Sequence, residues 1–255
     1  MAGLGFTVYA AARRVERMAP LAEVGIRPIK VDVTDDASMV QLVSDVIAAD
    51  GRLDVLVNNA GYGSYGALED VSMEEARRQF EVNVFGLARL TQLALPHMRA
   101  QGSGYVVNIS SMGGKIYEPL GSWYHAAKFA VEGLSDSLRM ELRPFGIHVV
   151  IIEPGAIKTE WGDIAHESLL ATSGAGPYGK QAKAVAAIFE ASVRNPKRAS
   201  DPSVIADAVA AAVTSRRPKT RYVVGSGARP LLLARRLLTD RGFDRMLSLG
   251  YRFAR

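Results

Sequence analysis

The sequence contains no cysteine, which excludes disulfides and thiolate metal sites. Histidine is scarce. The four present, His97, His125, His148 and His166, follow no ligand spacing and read as structural or solvated, so no metal is expected. No run approaches the roughly 20 apolar residues of a membrane span, and no cationic-then-apolar leader opens the chain. A cytoplasmic protein is the expectation. Basic patches interleaved with aromatics are also missing, as is a reading helix. The net charge of +5 therefore speaks for an anionic small molecule more than for nucleic acid.

What is present suits a large α/β domain. The 255 residues are 48% apolar, enough for a sizeable core in one domain or two small ones. Short apolar runs at 6–11, 28–33, 53–58, 105–109, 147–152 and 221–224 read as strands. Helical periodicity falls between them: at 34–50 with Thr34 or Asp35 as cap, and from the Ser72/Glu75 capping box to about Met98. Further helices are expected at 122–143, 180–194 and 202–215, with a variable glycine-containing segment at 159–179. The run at 53–58 is almost continuously apolar, as in a parallel strand covered on both faces. Strand and helix alternate throughout, which predicts a Rossmann-like, doubly wound parallel sheet with helices on both faces in a single domain. The domain proper spans 1–228, with a basic segment at 229–255 belonging to it.

Chemistry is concentrated between Asn108 and Lys128. Ser111 is followed thirteen positions later by Tyr124, and Tyr124 four positions later by Lys128. The gap of four puts Tyr124 and Lys128 on one helix face. A phenol titrates near 10 in water, and a neighbouring ammonium favours its ionised form. A serine hydroxyl reaching the same point can hold a substrate oxygen against that phenol. A YxxxK pair alone is ordinary on a helix surface; the serine at the end of a strand makes an acid–base site the better reading.

These residues, with VDV at Val31–Val33, NNAG at Asn58–Gly61, Asn83 within EVNVFG, and PGAIKT at Pro154–Thr159, resemble the short-chain dehydrogenase/reductase family over nearly the whole chain. NNAGYGSYGALEDVS and RRPKTRYVVG are most similar to the branch of 17β-hydroxysteroid and retinol dehydrogenases. The resemblance implies an oxidoreductase that interconverts a lipophilic ketone or aldehyde and an alcohol. Tyr124 is then the general acid/base, Lys128 depresses its pKa and binds the nicotinamide ribose, Ser111 rather than Ser110 orients the substrate oxygen, and Asn83 holds a water linking Lys128 to solvent. Asp32 and Val33 are implied beside the adenine, Asn59, Ala60 and Gly61 along the dinucleotide, and Pro154, Gly155, Ile157 and Thr159 around the nicotinamide. The end of the second family strand falls at Ala12, where an NAD-preferring fold carries an acid; Arg13 and Arg14 follow instead. A guanidinium there suits a 2′-phosphate, so Arg13 is the expected contact and NADP(H) is expected over NAD(H). Homodimers or tetramers are also implied.

The chain departs from the family pattern at its front. The first strand and the TGxxxGxG turn are missing from this sequence. Gly3 and Gly5 precede a strand, and Gly61, Gly63 and Gly66 are followed by no helix until Ser72, so neither set replaces that turn. Either the true start lies upstream or cofactor binding is weakened, and a catalytically silent binding or regulatory protein is the alternative reading. An epimerase of the extended family shares YxxxK but brings a larger C-terminal domain. The segment at 159–179, with Trp161, Ile164, Leu169 and Leu170, is the expected cover of the substrate cleft. The last segment holds seven arginines, at 229, 235, 236, 241, 245, 252 and 255, against Asp240 and Asp244, with leucines between them. An amphipathic helix there either rests peripherally on an anionic membrane or docks beside the cleft with its arginines solvated.

Overall fold

The apolar runs become six parallel strands among the residues described by the computed structural model, 1–194 and 198–251. In chain order the elements are β1 (Tyr9–Ala12), α1 (Ala19–Ala22), β2 (Arg27–Lys30), α2 (Asp36–Asp50), β3 (Val55–Asn58), α3 (Met73–Phe80), α4 (Gly86–Gln101), β4 (Gly104–Ile109), α5 (Ser122–Leu142), β5 (Ile147–Pro154), α6 (Trp161–Ser173), α7 (Gly179–Arg194), α8 (Ser203–Thr214), β6 (Arg221–Val224), α9 (Ala228–Leu237) and α10 (Asp240–Gly250). Strands β3-β4-β5-β6 form one ladder and β1-β2 a second, with no hydrogen-bonded ladder joining β1 to β3. The doubly wound α/β fold stands, with its expected single sheet present as two parallel ladders. Side-chain packing joins them: Ile29 from β2 and Leu56 from β3 meet in a cluster with Met39 and Val43 of α2 and Leu90 of α4.

Alternation along the central strands builds the two faces. Val106 and Val149 pack with Ala94 and Met98 of α4 and Leu142 of α5. Their neighbours Val107 and Val150 point the other way, onto Ala208, Val209, Ala212 and Val213 of α8. Both faces being covered explains why these strands read as continuous apolar runs.

Two helix starts follow their caps. Asp35 accepts from the Ala37 N–H at 3.0 Å to open α2, and Ser72 accepts from the Glu75 N–H at 3.1 Å to open α3. Glu75 does not return to Ser72 as a capping box requires; its carboxylate accepts from the Tyr62 hydroxyl at 2.8 Å. The long helix expected from there to Met98 is interrupted by a π turn at Glu81–Phe85. Such turns recur at functional sites. Gly86 follows directly, where a Cβ would stand 2.5 Å from the Val33 carbonyl oxygen. Close approach of helix to strand end therefore requires glycine there.

One expectation is corrected. The segment expected to be variable at 159–179 is helical over most of its length, as α6. Trp161, Ala165 and Leu169 recur every four residues and turn inward, a period that Gly162 within the helix and Gly174 and Gly176 beyond it obscure in the sequence. No helix among the described residues is long and apolar enough to cross a membrane.

Candidate active site

Parallel strands place their carboxyl ends on one edge, where open α/β sheets bind ligands. Arg13 directly follows β1, Asp32 and Val33 lie just beyond β2, Asn59 to Gly61 follow β3, Ser110 and Ser111 follow β4, and Gly155 to Thr159 follow Pro154 at the end of β5. Tyr124 and Lys128 come from the first two turns of α5.

The stretch from Ser111 to Gly121 is shaped by its own polar groups. Ser111 caps the 3₁₀ turn Met112–Gly114, accepting from the Gly113 N–H at 3.0 Å. His125, buried at the start of α5, braces the loop: Nδ1 donates to the Gly113 carbonyl at 2.9 Å and Nε2 accepts from the Glu118 N–H at 3.0 Å. Leu120 is held at φ 64°, an uncommon left-handed conformation for a leucine, and its carbonyl accepts from the Gly66 N–H at 2.7 Å. That bond ties the loop after β3 to the start of α5. Deeper down, Asn58 donates to Asn108 at 2.8 Å and Asn108 to Ser135 at 2.9 Å, locking the ends of β3 and β4 to α5.

This scaffold brings the Ser111 hydroxyl close enough to the Tyr124 phenol to favour its ionised form. Ser110 is turned away, buried and without a partner among the described residues, its hydroxyl packed under Gly114. Burial pushes the Tyr124 phenol up to about 12, with Glu118 adding to the rise and the Ser111 hydroxyl opposing it. Burial also brings the Lys128 ammonium down to about 8, against the pull of Glu132. Lys128 Nζ donates to the Ile109 carbonyl at 2.9 Å. Lys128 is not among the groups that act on the Tyr124 phenol here, and loss of water around the phenol sets the direction of its shift.

Glu132 belongs to a buried charge cluster one turn beyond Lys128. Its carboxylate accepts from Arg221 Nη2 at 3.1 Å and pairs with Lys115 at 3.1 Å. Arg221 Nε also stands 3.0 Å from Glu153, an ion pair bent too far for a hydrogen bond. Burial raises Glu153, and the Glu132 carboxylate beside it adds to the rise.

Asn83 sits in the π turn and grips the loop after β3. Its amide nitrogen donates to the Tyr62 carbonyl at 2.9 Å, and its Oδ1 accepts from the Tyr62 N–H at 3.0 Å. Gly61 lies open at the rim, and a Cβ there would stand 3.1 Å from Asn83 Oδ1 and 3.8 Å from Lys128 Nζ. The Lys128 ammonium and the Asn83 amide beside Gly61 are groups that could hold a ribose hydroxyl. Towards β1 and β2, Asp32 accepts from Thr34 N and Oγ1 at 2.9 and 2.7 Å, and the Thr34 N–H holds its carboxyl below the usual range. Arg13 is exposed and enters no ion pair among the described residues, while Arg14 and Arg17 pair with Glu160 at 3.8 and 3.2 Å. Arg13 and Arg78 of α3 both act on Asp32 and Tyr62. The donor set at this end suits an adenosine ribose and its phosphate.

An aromatic cluster covers Tyr124. Trp161 lies 5.2 Å from its ring, Tyr65 5.5 Å and His125 5.6 Å, and Phe189 packs on Tyr65 at 5.0 Å. Leu247 of α10 and Tyr251, directly after it, join the same cluster. Of the expected cover, Trp161, Leu169 and Leu170 pack here, whereas Ile164 is exposed. Sequence reasoning missed Tyr65, Phe189, Tyr251 and Arg78. Tyr65, within the glycine-rich GYGSYG, carried the one available signal; the others are distant in sequence and meet the site only through packing.

The short chain dehydrogenase family profile matches residues 1–168. The uncharacterized oxidoreductase YusZ of Bacillus subtilis is 34% identical over 252 residues, covering 95% of this chain and 89% of that protein. A 3-ketodihydrosphingosine reductase of Bacteroides thetaiotaomicron is 41% identical over 160 residues, 62% of this chain and 58% of that protein. Among solved structures, a short-chain dehydrogenase from Streptomyces avermitilis superposes with a TM-score of 0.81 at 34% identity, covering 100% of this chain and 92% of that one. A metagenomic short-chain oxidoreductase in complex with NADP superposes at 0.67 with 27% identity, over 87% of this chain and 86% of that one.

Proposed function

The chain belongs to the short-chain dehydrogenase family, NAD(P)-dependent enzymes that act on CH–OH groups, and from that premise we propose an NADP(H)-dependent reductase of lipophilic ketones or aldehydes with Tyr124 as proton donor. The Ser111 hydroxyl acting on the buried Tyr124 phenol, with Lys128 buried one turn on, carries the reading.

NADPH supplies the hydride when bound. Ser111 and Tyr124 together hold the carbonyl oxygen, and the positioned phenol delivers its proton as the carbonyl carbon becomes an alcohol carbon. A phenol at about 12 is fully protonated at neutral pH, the state an acid must start from. Lys128, at about 8, is the stronger acid of the pair and returns a proton to the phenolate. Asn83 holds the loop after β3 and lies with Lys128 beside the exposed Gly61, the side from which the lysine regains its proton. Asp32, Val33, Asn59, Ala60, Pro154, Gly155, Ile157 and Thr159 are assigned to the cofactor along the strand ends. Arg13, unpaired where an acid would favour NAD, supports the 2′-phosphate. The aromatic cluster of Tyr65, Trp161 and Phe189 supports an apolar substrate, as does the likeness to a reductase of a sphingoid ketone. Within the family we assign the chain to the 17β-hydroxysteroid and retinol dehydrogenase branch on its NNAGYGSYGALEDVS stretch.

Tyr124→Phe removes the proton donor and leaves the ring packing intact. NADPH oxidation with a panel of aromatic and alicyclic ketones is expected to fall by about 10²–10⁴ in this variant, with unchanged circular dichroism. Retention of more than a few per cent of the rate overturns the assignment, and absence of turnover in the unaltered protein favours the silent reading.

A further inference from the structure

We propose that α9 and α10 form a docking platform for an anionic lipid bilayer. Their inner faces belong to the domain. Ala228 and Phe243 are fully buried, and Leu247 and Tyr251 reach the aromatic cluster around Tyr124. Their outer faces do not match that role. On α9, Arg229, Leu233, Arg236 and Leu237 follow at helical spacing along one exposed side, and on α10 Arg241, Arg245 and Leu249 do the same. Leu233, Leu237 and Leu249 are 57%, 73% and 72% exposed. A single exposed leucine is ordinary; leucines stacked with arginines on successive helices are the pattern of an interfacial segment.

The charges select the partner. Arg229, Arg236, Arg241 and Arg245 enter no ion pair among the described residues. The two nearby acids are already engaged, Asp240 with Arg235 at 2.8 Å and Asp244 with the Tyr117 hydroxyl at 2.8 Å. A second copy of this chain, meeting the face by two-fold symmetry, would set these guanidinium groups against their own equivalents. Nucleic acid would leave the three leucines unused. A bilayer with acidic headgroups takes both, leucines in the headgroup and acyl boundary and guanidiniums on the phosphates. Arg252 and Arg255 of the same basic segment lie outside the described residues. The inner faces of these helices touch the Tyr124 cluster, so a docked bilayer lies beside the proposed site for an apolar substrate. The platform itself does not depend on the proposed activity.

The test is co-sedimentation of the full chain with vesicles of phosphatidylcholine alone and of phosphatidylcholine mixed with phosphatidylglycerol. Binding is expected to the mixed vesicles only, and to weaken with salt. Arg229→Gln with Arg236→Gln should lower partitioning about fivefold per charge, equivalent to about 1 kcal/mol each. Leu233→Ser with Leu237→Ser should lower it as well, and both variants should reduce a water-soluble ketone at the unaltered rate. Three results overturn the proposal: no binding to either vesicle, equal binding to both, or self-association lost in the leucine variant with no vesicle binding.

Discussion

Tyr124 and Lys128 show how burial reverses an expectation drawn from spacing. Placing an ammonium one turn from a phenol predicts an acidic tyrosine, yet both groups are desolvated, and each is driven towards its neutral form. This has a consequence for stability. Lys128 titrates near 8 in the folded chain against 10.5 for an ordinary lysine. Between those values the unfolded chain holds a proton that the folded chain lacks, so this group's contribution to stability is least favourable below pH 8 and rises towards pH 10. The interval corresponds to on the order of 3 kcal/mol. Tyr124 acts with the opposite sign only above pH 10, where the unfolded chain loses a proton that the folded one keeps. Urea midpoints from pH 7 to 10 should therefore climb in the unaltered protein and stay nearly level in Lys128→Met; equal climbs would reject the assignment. At the other end of the cleft, Arg13 is free where Arg14 is held by Glu160. Arg13→Ala should weaken NADPH by roughly ten- to a hundredfold, the loss of a charge-assisted hydrogen bond, and leave NADH nearly unchanged. Titration of both cofactors checks it, and equal weakening would make Arg13 a surface residue.

Among the elements, capping residues and periods were legible and interruptions were not. Asp35 and Ser72 open α2 and α3 where the sequence puts them. The π turn at Glu81–Phe85 carries no sequence mark, because it exists to turn Asn83 onto the Tyr62 backbone, a contact between segments twenty-one residues apart. The same turn leaves Phe85 54% exposed, and Phe129 of α5 is 46% exposed. We propose that α4 and α5 meet a second copy of the chain across this surface, as the family's dimers or tetramers imply. Light scattering of Phe85→Ser with Phe129→Ser should then give the mass of one chain where the unaltered protein gives a multiple. An unaltered protein of single-chain mass would sink the idea.

For the whole molecule, the sequence by itself determined the fold class, because strand and helix alternate with periods that need no long-range information. It also determined which residues stand at the strand ends, since a parallel sheet puts every such end on one edge. The serine–tyrosine–lysine spacing was readable because serine is fixed to the end of β4 and the other two to one face of α5. Only the tertiary structure decided the rest. The split into two ladders depends on which strand edges meet, and the aromatic cluster over Tyr124 joins residues from Tyr65 to Tyr251. That Arg14 is held by Glu160, more than a hundred residues away, belongs to the packed molecule alone. The protonation of Tyr124 and Lys128 turned on how much water packing leaves around them. Spacing along a chain measures distance between neighbours; burial and long-range pairing belong to the packed molecule, and they set the charges on which the chemistry depends.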